Sequence, residues 1–290
     1  MKGLLNYIVI TPVQNEERYI RKTIESMLCQ TLKPMKWVIV NDASEDETGK
    51  IIVEYETKHH WIRTIHRKGR GFRNPGTGVI EAFYDGYNSL DSSDWDFIVK
   101  LDGDLSFDGD YFERCFEKFR INPKLGIAGG MVYNCIKETF QVEENPTFHV
   151  RGATKIYRRE CWEAIRGLIK APGWDTLDEV KANMLGWETR SFPDLRVTHH
   201  RFTGEVDGTW RNSVKNGRAN YISGYHPLFM FFKCGKRIFQ KPYFIAALGL
   251  LYGYVSGCWK KVPQIDDRPL IDYLRKQQLG RLFFKESIWK

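Results

Sequence analysis

The chain has 290 residues, 42% of them hydrophobic and 28% charged, enough to bury a real core in one large α/β domain with an appendage or in two small domains. Its six cysteines, Cys29, Cys115, Cys135, Cys161, Cys234 and Cys258, stand far apart with no C-x-x-C pair, which argues against a disulfide framework or a zinc knuckle and for a reducing cytoplasm. The formal charge of +8 is uneven: residues 201–290 hold sixteen Lys/Arg against six Asp/Glu, a net of +10 that leaves about −2 for everything before, so any basic face for nucleic acid, anionic lipid or a diphosphate-linked acceptor belongs to the last third.

The first apolar run, Tyr7–Thr11, is too short for a signal peptide and is soon broken by Pro12, Asn15, Glu16 and Glu17; it reads as a core strand. Further short runs at Trp37–Asn41, Ile62–His66, Phe97–Leu101 and Ile127–Tyr133 read as strands buried on both faces. Between them, Glu17–Gln30 places Tyr19, Ile20, Ile24, Met27 and Leu28 on one helical stripe, and Val79–Leu90 does so with Ile80, Phe83 and Tyr87. Alternation of this kind predicts an α/β fold, a mostly parallel sheet flanked by helices, with ligands at the carboxyl edge of the strands. Next come a strand at Val150–Arg158, helices at Arg159–Ile165 and Thr176–Leu185, and a strand at Glu188–His199. Beyond Arg201, residues 207–222 have helical spacing through Trp210, Val214, Arg218 and Tyr221. The apolar run Pro242–Trp259 is flanked by Lys233, Lys236, Arg237 and Lys241 before it and Lys260 and Lys261 after. It falls short of the ~20 apolar residues of a span, and reads either as a helix lying at a membrane interface or as a core-packing helix.

Three polar clusters fall at strand ends. Asp102-Gly103-Asp104 puts two carboxylates where they can share Mg2+ or Mn2+, which need only one or two carboxylates plus substrate phosphates; Gly103 lets the backbone turn so that both converge. In Asn41–Thr48, Ser44 or Asp46 can cap the helix starting near Thr48, while Asp42 lies too far upstream to cap and is free for a nucleobase or ribose. Thr11–Glu17 joins the first strand to the first helix. Residues 67–78 are glycine-rich but fit neither a P-loop nor a dinucleotide fingerprint; their cations Arg67, Lys68, Arg70 and Arg73 can neutralise a diphosphate.

In order, Thr11-Pro-Val-Gln-Asn-Glu-Glu17, Ile24-Glu-Ser-Met-Leu-Cys-Gln-Thr31, Trp37-Val-Ile-Val-Asn-Asp-Ala-Ser-Glu-Asp-Glu-Thr48 and Asp102-Gly-Asp104 resemble the family 2 glycosyltransferases over residues 5–200. The resemblance implies the GT-A fold in residues 1–205, a nucleotide-binding half (1–104) and an acceptor half (105–205), with a helical, basic extension over 206–290. It places Pro12, Asn15 and Glu16 beside the nucleotide, Asp42 on the nucleobase, Asp104 on the metal and Asp102 on ribose or a metal-bound water. Gly152, after Arg151, resembles the loop near the donor sugar, and Arg73 completes the expected donor contacts. His199-His200 either supplies a histidine to the metal or ends a strand. In the family a Glu-Asp pair begins the helix before a Gly-aromatic turn; here Thr176–Glu179 followed by Gly186-Trp187 matches that segment with Leu177 in place of the Glu. This makes Asp178 the expected general base and Asp175 the runner-up, unless Asp178 only favours the helix dipole.

Two departures matter. The family's usual Asp-Asp-Gly-Ser is Asn41-Asp42-Ala43-Ser44 here, and no Gln-x-x-Arg-Trp motif follows the catalytic segment, which favours single addition over processive synthesis. Arg218–Leu228 resembles the tail of bacterial envelope-polysaccharide transferases. The expected reaction is inverting transfer from a nucleotide-diphospho-sugar to a glycan or polyprenyl-diphosphate-linked acceptor, in the cytoplasm or at the inner face of the cytoplasmic membrane. A nucleotidyltransferase of related fold would carry a glycine-rich basic loop after its first strand, and a nucleic-acid-binding module would carry a reader motif; neither is present.

Overall fold

The computed structural model describes residues 5–68, 77–91, 94–136, 139–142, 145–201, 208–239 and 243–289. The chain runs β1 (Tyr7–Val13), α1 (Ile20–Leu28), β2 (Lys36–Asn41), α2 (Thr48–Lys58), β3 (Ile62–His66), α3 (Thr77–Asn88), β4 (Phe97–Leu101), β5 (Leu105–Phe107), α4 (Tyr111–Ile121), β6 (Leu125–Ile136), β7 (Thr139–Val142), β8 (Thr154–Arg158), α5 (Arg159–Ile165), α6 (Trp174–Met184), β9 (Glu188–His199), α7 (Gly208–Ile222), α8 (Pro227–Ile238), α9 (Ile245–Trp259) and α10 (Arg268–Leu282). Among the described residues the strands form one nine-stranded sheet in the order β3-β2-β1-β4-β8-β6-β9-β5, with β7 on β6. The first four in that order are parallel, whereas β8 runs against β4 and β6. Consequently the ends of β1, β2 and β4 and the start of β8 lie along one edge, with Leu101 opposite Thr154.

Every residue of β1 and β4 is buried, as continuous apolar runs require when helices cover both faces. Alternation distributes β1 between two layers. Tyr7 and Val9 pack with Ile20, Ile24 and Met27 of α1 and with Phe112, Phe116 and Phe119 of α4; Ile8 and Ile10 pack with Ile80 and Phe83 of α3 and with Trp162 of α5.

A third core joins the C-terminal helices to the sheet through α6. Leu177 and Val180 pack with Tyr225, Met230, Leu250, Tyr254, Leu270 and Leu274. Within this extension α7 and α9 touch backbone to backbone: a Cβ added at Gly217 would lie 2.0 Å from the carbonyl oxygen of Leu250, and one at Gly253 would lie 2.0 Å from that of Val214. Only glycine permits such an approach. The apolar run forms α9, which is divided lengthwise. Ala246, Ala247, Leu250 and Tyr254 are buried, yet Ile245, Leu248, Leu251, Tyr252, Val255 and Trp259 are exposed. Among the described residues no helix is long and apolar enough to cross a membrane.

Candidate active site

The β1–α1 and β2–α2 loops are stitched together by short polar side chains. Asn15 N–H donates to Ser44 Oγ (3.0 Å), Glu45 N–H to Asn15 Oδ1 (2.9 Å), Glu16 N–H to Thr48 Oγ1 (2.7 Å) and Glu17 N–H to Asp46 Oδ2 (3.1 Å). Pro12 is buried at the end of β1, paired with Val40 of β2. Asp46 also accepts from Thr48 N–H at 3.0 Å, but neither it nor Ser44 is the helix cap: the α2 N-cap is Glu47, whose side chain makes no cap bond, and the Ser44 hydroxyl accepts from Asn15. Asn15 and Ala43 hold left-handed φ values of 55° and 54°. The Asp42 carboxylate meets Arg67 and keeps 24% of its surface exposed. Arg67, 8% exposed, also reaches Asp85 at 2.6 Å. It is therefore committed to carboxylates and is not among the cations open to a diphosphate. Arg73 and Arg70 lie outside the described residues.

Lys100 and His199 organise the Asp102-Gly103-Asp104 turn. Lys100, the penultimate residue of β4, is 2% exposed; its ammonium is bound by Asp102 Oδ1 and by the Gly152 carbonyl at 2.6 Å. Asp104, 6% exposed, accepts from His199 Nε2 through Oδ2 at 3.2 Å, with Arg201 Nε 3.8 Å away. The other His199 nitrogen, Nδ1, faces Asn134 Oδ1 at 3.2 Å. Burial alone would raise the Asp104 carboxyl, but the His199 hydrogen bond and the charges of His199, Arg201 and Lys100 hold it below the usual range. In the same pair burial disfavours the His199 cation while Asp104 outweighs burial, so that histidine is raised. Asp104 Oδ1 is buried and has no hydrogen-bond partner among the described residues. A carboxylate oxygen left unpaired in the interior costs stability unless something binds it, and a hard divalent cation fits that atom. Among the described residues no three His, Cys, Asp or Glu side chains converge on one point; the donor set fits an ion that takes its remaining ligands from substrate phosphates. Gly103 has no left-handed backbone. Its lack of a side chain is needed because a Cβ would lie 2.6 Å from Val13 Cγ1, so close packing, not turning, explains the glycine.

Across the same edge, α6 presents its carboxylates to a buried lysine. Lys155 of β8 is fully enclosed and contacts Asp178 Oδ1 and Oδ2 (2.8 and 3.0 Å), Glu179 Oε1 (2.8 Å) and the Asp175 carbonyl. Tyr157 O–H donates to Asp178 Oδ2 at 2.5 Å. Burial opposes the Lys155 charge, but Asp178, Glu179 and Asp175 together raise it; burial drives Asp178 up to about 6 against the pull of Lys155. Asp178 has 0% exposure, and its oxygens are occupied by Lys155, Tyr157 and the Glu179 N–H. Asp175, one turn earlier, is part-exposed and lines a cavity of about 460 Å3 together with Trp174 and residues of α7. Enclosure would raise its carboxyl, yet the charges of His149, Lys155, Arg151 and Lys100 prevail and lower it. Gly152 joins the two halves of the site, since a Cβ there would lie 3.0 Å from the Trp174 ring and 3.2 Å from Asp175 Cβ. Sequence reasoning missed Lys100 and Lys155, although a lysine within an apolar strand is a signal, because a buried ammonium needs paired carboxylates. Arg201, whose guanidinium binds the Asn15 carbonyl at 3.0 Å and Glu16, left no such signal.

Comparison with known proteins bears on the fold and the family. The glycosyltransferase GlyA of Streptococcus pneumoniae serotype 4 (strain ATCC BAA-334 / TIGR4) is 33% identical over 129 residues, 43% of this chain but only 16% of GlyA, so the chain spans a small part of that relative. Among solved structures, Staphylococcus aureus TarS 1–349 superposes with a TM-score of 0.56 at 13% identity, covering 89% of this chain and 73% of that one. The mannosyltransferase PcManGT from Pyrobaculum calidifontis, solved with GDP-Man and Mn2+, gives 0.55 at 15% identity over 99% and 77%. These likenesses show the GT-A fold. The family model described as glycosyl transferase family 2 matches residues 8–169, a stretch that runs from β1 through α5 and takes in the stitched loops, the Asp102–Asp104 turn and Gly152. With more than half of its length in that match, the chain belongs to glycosyl transferase family 2.

Proposed function

We propose that the protein is an inverting glycosyltransferase that moves a sugar from a nucleotide-diphosphate donor to a glycan or polyprenyl-diphosphate-linked acceptor in bacterial envelope-polysaccharide synthesis, at the cytoplasmic face of the membrane. The observation that carries the reading is a pair of carboxylates of contrasting setting: Asp104 after β4 with its orphaned buried oxygen, and Asp175 of α6, packed on Gly152 and open to the cavity. The stitched loops and Asp42 hold the nucleoside, Asp102 its ribose, and Gly152 leaves room for the sugar. Asp104 ligates Mn2+ or Mg2+, supported by His199; Mn2+ accompanies GDP-Man in the PcManGT structure. What the ion supplies, when held, is neutralisation of the departing diphosphate.

We assign the base role to Asp175 in preference to Asp178. Its lowered carboxyl is ionised at neutral pH. As the acceptor oxygen forms its bond to the anomeric carbon, Asp175 takes the acceptor proton; the bond from that carbon to the diphosphate breaks, and the nucleoside diphosphate leaves with the electron pair. Asp178 and Glu179 instead hold Lys155, which fixes the Asp175 backbone.

Thermal shift against UDP-, GDP- and dTDP-sugars with Mn2+ or Mg2+ identifies the donor, because a ligand of the native state raises its melting temperature. With that donor, Asp175→Asn is expected to slow transfer by ~10²–10⁴-fold, the usual worth of a positioned base, while donor binding survives. Asp178→Asn lowers the melting temperature and retains measurable transfer, and Asp104→Asn abolishes metal-dependent turnover. Wild-type transfer by Asp175→Asn would falsify the base assignment.

A further inference from the structure

The cavity at Asp175 carries more positive charge than a sugar hydroxyl needs. Its wall is α7, which contributes Arg211, Lys215 and Arg218, and α9, which contributes Tyr252 beside Trp210 of α7, their ring centroids 6.0 Å apart. Asp175 is the one carboxylate among the lining residues. The Arg218 Nε is buried and has no hydrogen-bond partner among the described residues. An arginine N–H held away from water without an acceptor is a site prepared for one, and guanidinium forks match phosphate oxygens. Nothing in the donor reading uses these cations, because the donor diphosphate belongs to the Asp104 side of the edge.

Resting on the transfer reading above, we propose that this cavity is the acceptor site and that the acceptor bears a phosphate or diphosphate group, held by Arg211 and Arg218. Its sugar hydroxyl then reaches Asp175. The aromatic rings of Trp210 and Tyr252 cover the carbon skeleton next to the phosphate, and Tyr252 continues into the exposed apolar face of α9 with Leu248 and Val255.

The test is titration of the full chain with inorganic pyrophosphate and with geranyl diphosphate, in EDTA so that metal-assisted binding at Asp104 is suppressed. Tryptophan fluorescence is the readout, and Trp210→Phe identifies the reporting ring. Both probes are expected to change the Trp210 signal, geranyl diphosphate with higher affinity. Arg218→Gln should weaken both at least tenfold, Arg218→Lys less, and Arg211→Gln, an exposed position that folding tolerates, severalfold. Equal affinity in wild type and Arg211→Gln/Arg218→Gln overturns the proposal, as does failure of wild type to bind either probe. Binding that survives the arginine substitutions but disappears in Asp104→Asn assigns the anion to the donor side and overturns it as well. No donor or turnover enters this measurement, so its failure leaves the glycosyl-transfer reading to the separate Asp175 and Asp104 experiments.

Discussion

Ala43 sits in left-handed backbone at φ 54°, where the family pattern has glycine. A side chain there costs roughly 1–2 kcal/mol, and glycine returns part of that through its freedom in the unfolded chain, ~0.5–1 kcal/mol. Ala43→Gly is therefore expected to stabilise the protein by about 0.5 kcal/mol, a rise of ~1–2 °C in melting temperature; an unchanged or lower melting point refutes the strain. The placement of a carboxylate just after a strand was readable, as at Asp42, Asp102 and Asp104. Burial, which distinguishes like residues, was not readable. Asp178 and Asp175 are identical in type and three positions apart, and only their packing separates a carboxylate enclosed with Lys155 from one facing the cavity.

At the scale of elements, the spacing of apolar residues placed β3, β4, α5 and β9 to the residue, since each alternates or runs apolar against a well-packed layer. Val150–Arg158 fails at its start: β8 begins at Thr154, because Val150 N–H is given to Glu179 Oε1 at 2.6 Å and the Gly152 carbonyl to Lys100, bonds no periodicity announces. Likewise α6 begins at Trp174, after Gly173 at φ 85°. The α10 start was legible in Asp267-Arg268-Pro269, where Asp267 Oδ1 accepts from Leu270 N–H at 3.2 Å, yet it was passed over. The loop before β8 is tied to α6 by His149 Nδ1 on Glu179 Oε2, 2.8 Å apart. Burial disfavours the imidazolium, but Glu179 outweighs burial and raises it above its ordinary 6.5. Its stabilisation is thus complete below about pH 6.5 and is lost as pH rises through the raised folded value. Melting temperature should fall across that window in wild type, and His149→Gln should flatten the fall; parallel profiles for the two proteins would exclude the coupling.

The whole molecule divides its charge and its apolar surface unequally. Phe231, Phe244, Leu248, Val255 and Trp259, all more than half or half exposed, crowd the C-terminal helices beside the exposed Lys236, Lys260 and Lys261. Sequence gave the basic and apolar content of this segment, but which side of α9 turns inward depends on the glycines that admit α7. We read the outer side as a docking surface for an anionic bilayer. Co-sedimentation with phosphatidylglycerol-containing vesicles is expected, weakened severalfold in Leu248→Ser/Trp259→Ser and reduced by salt; equal recovery of wild type and variant in the supernatant rejects it. Because α7 and α9 meet at Gly217 and Gly253 with no side chain between them, the two helices form a single stiff plate. One surface of that plate bears Leu248 and Val255, and its rim bears Arg218 and Tyr252. A load on the greasy surface is therefore passed to the cationic rim through backbone contact, with no flexible side chain at the two crossing points to absorb it.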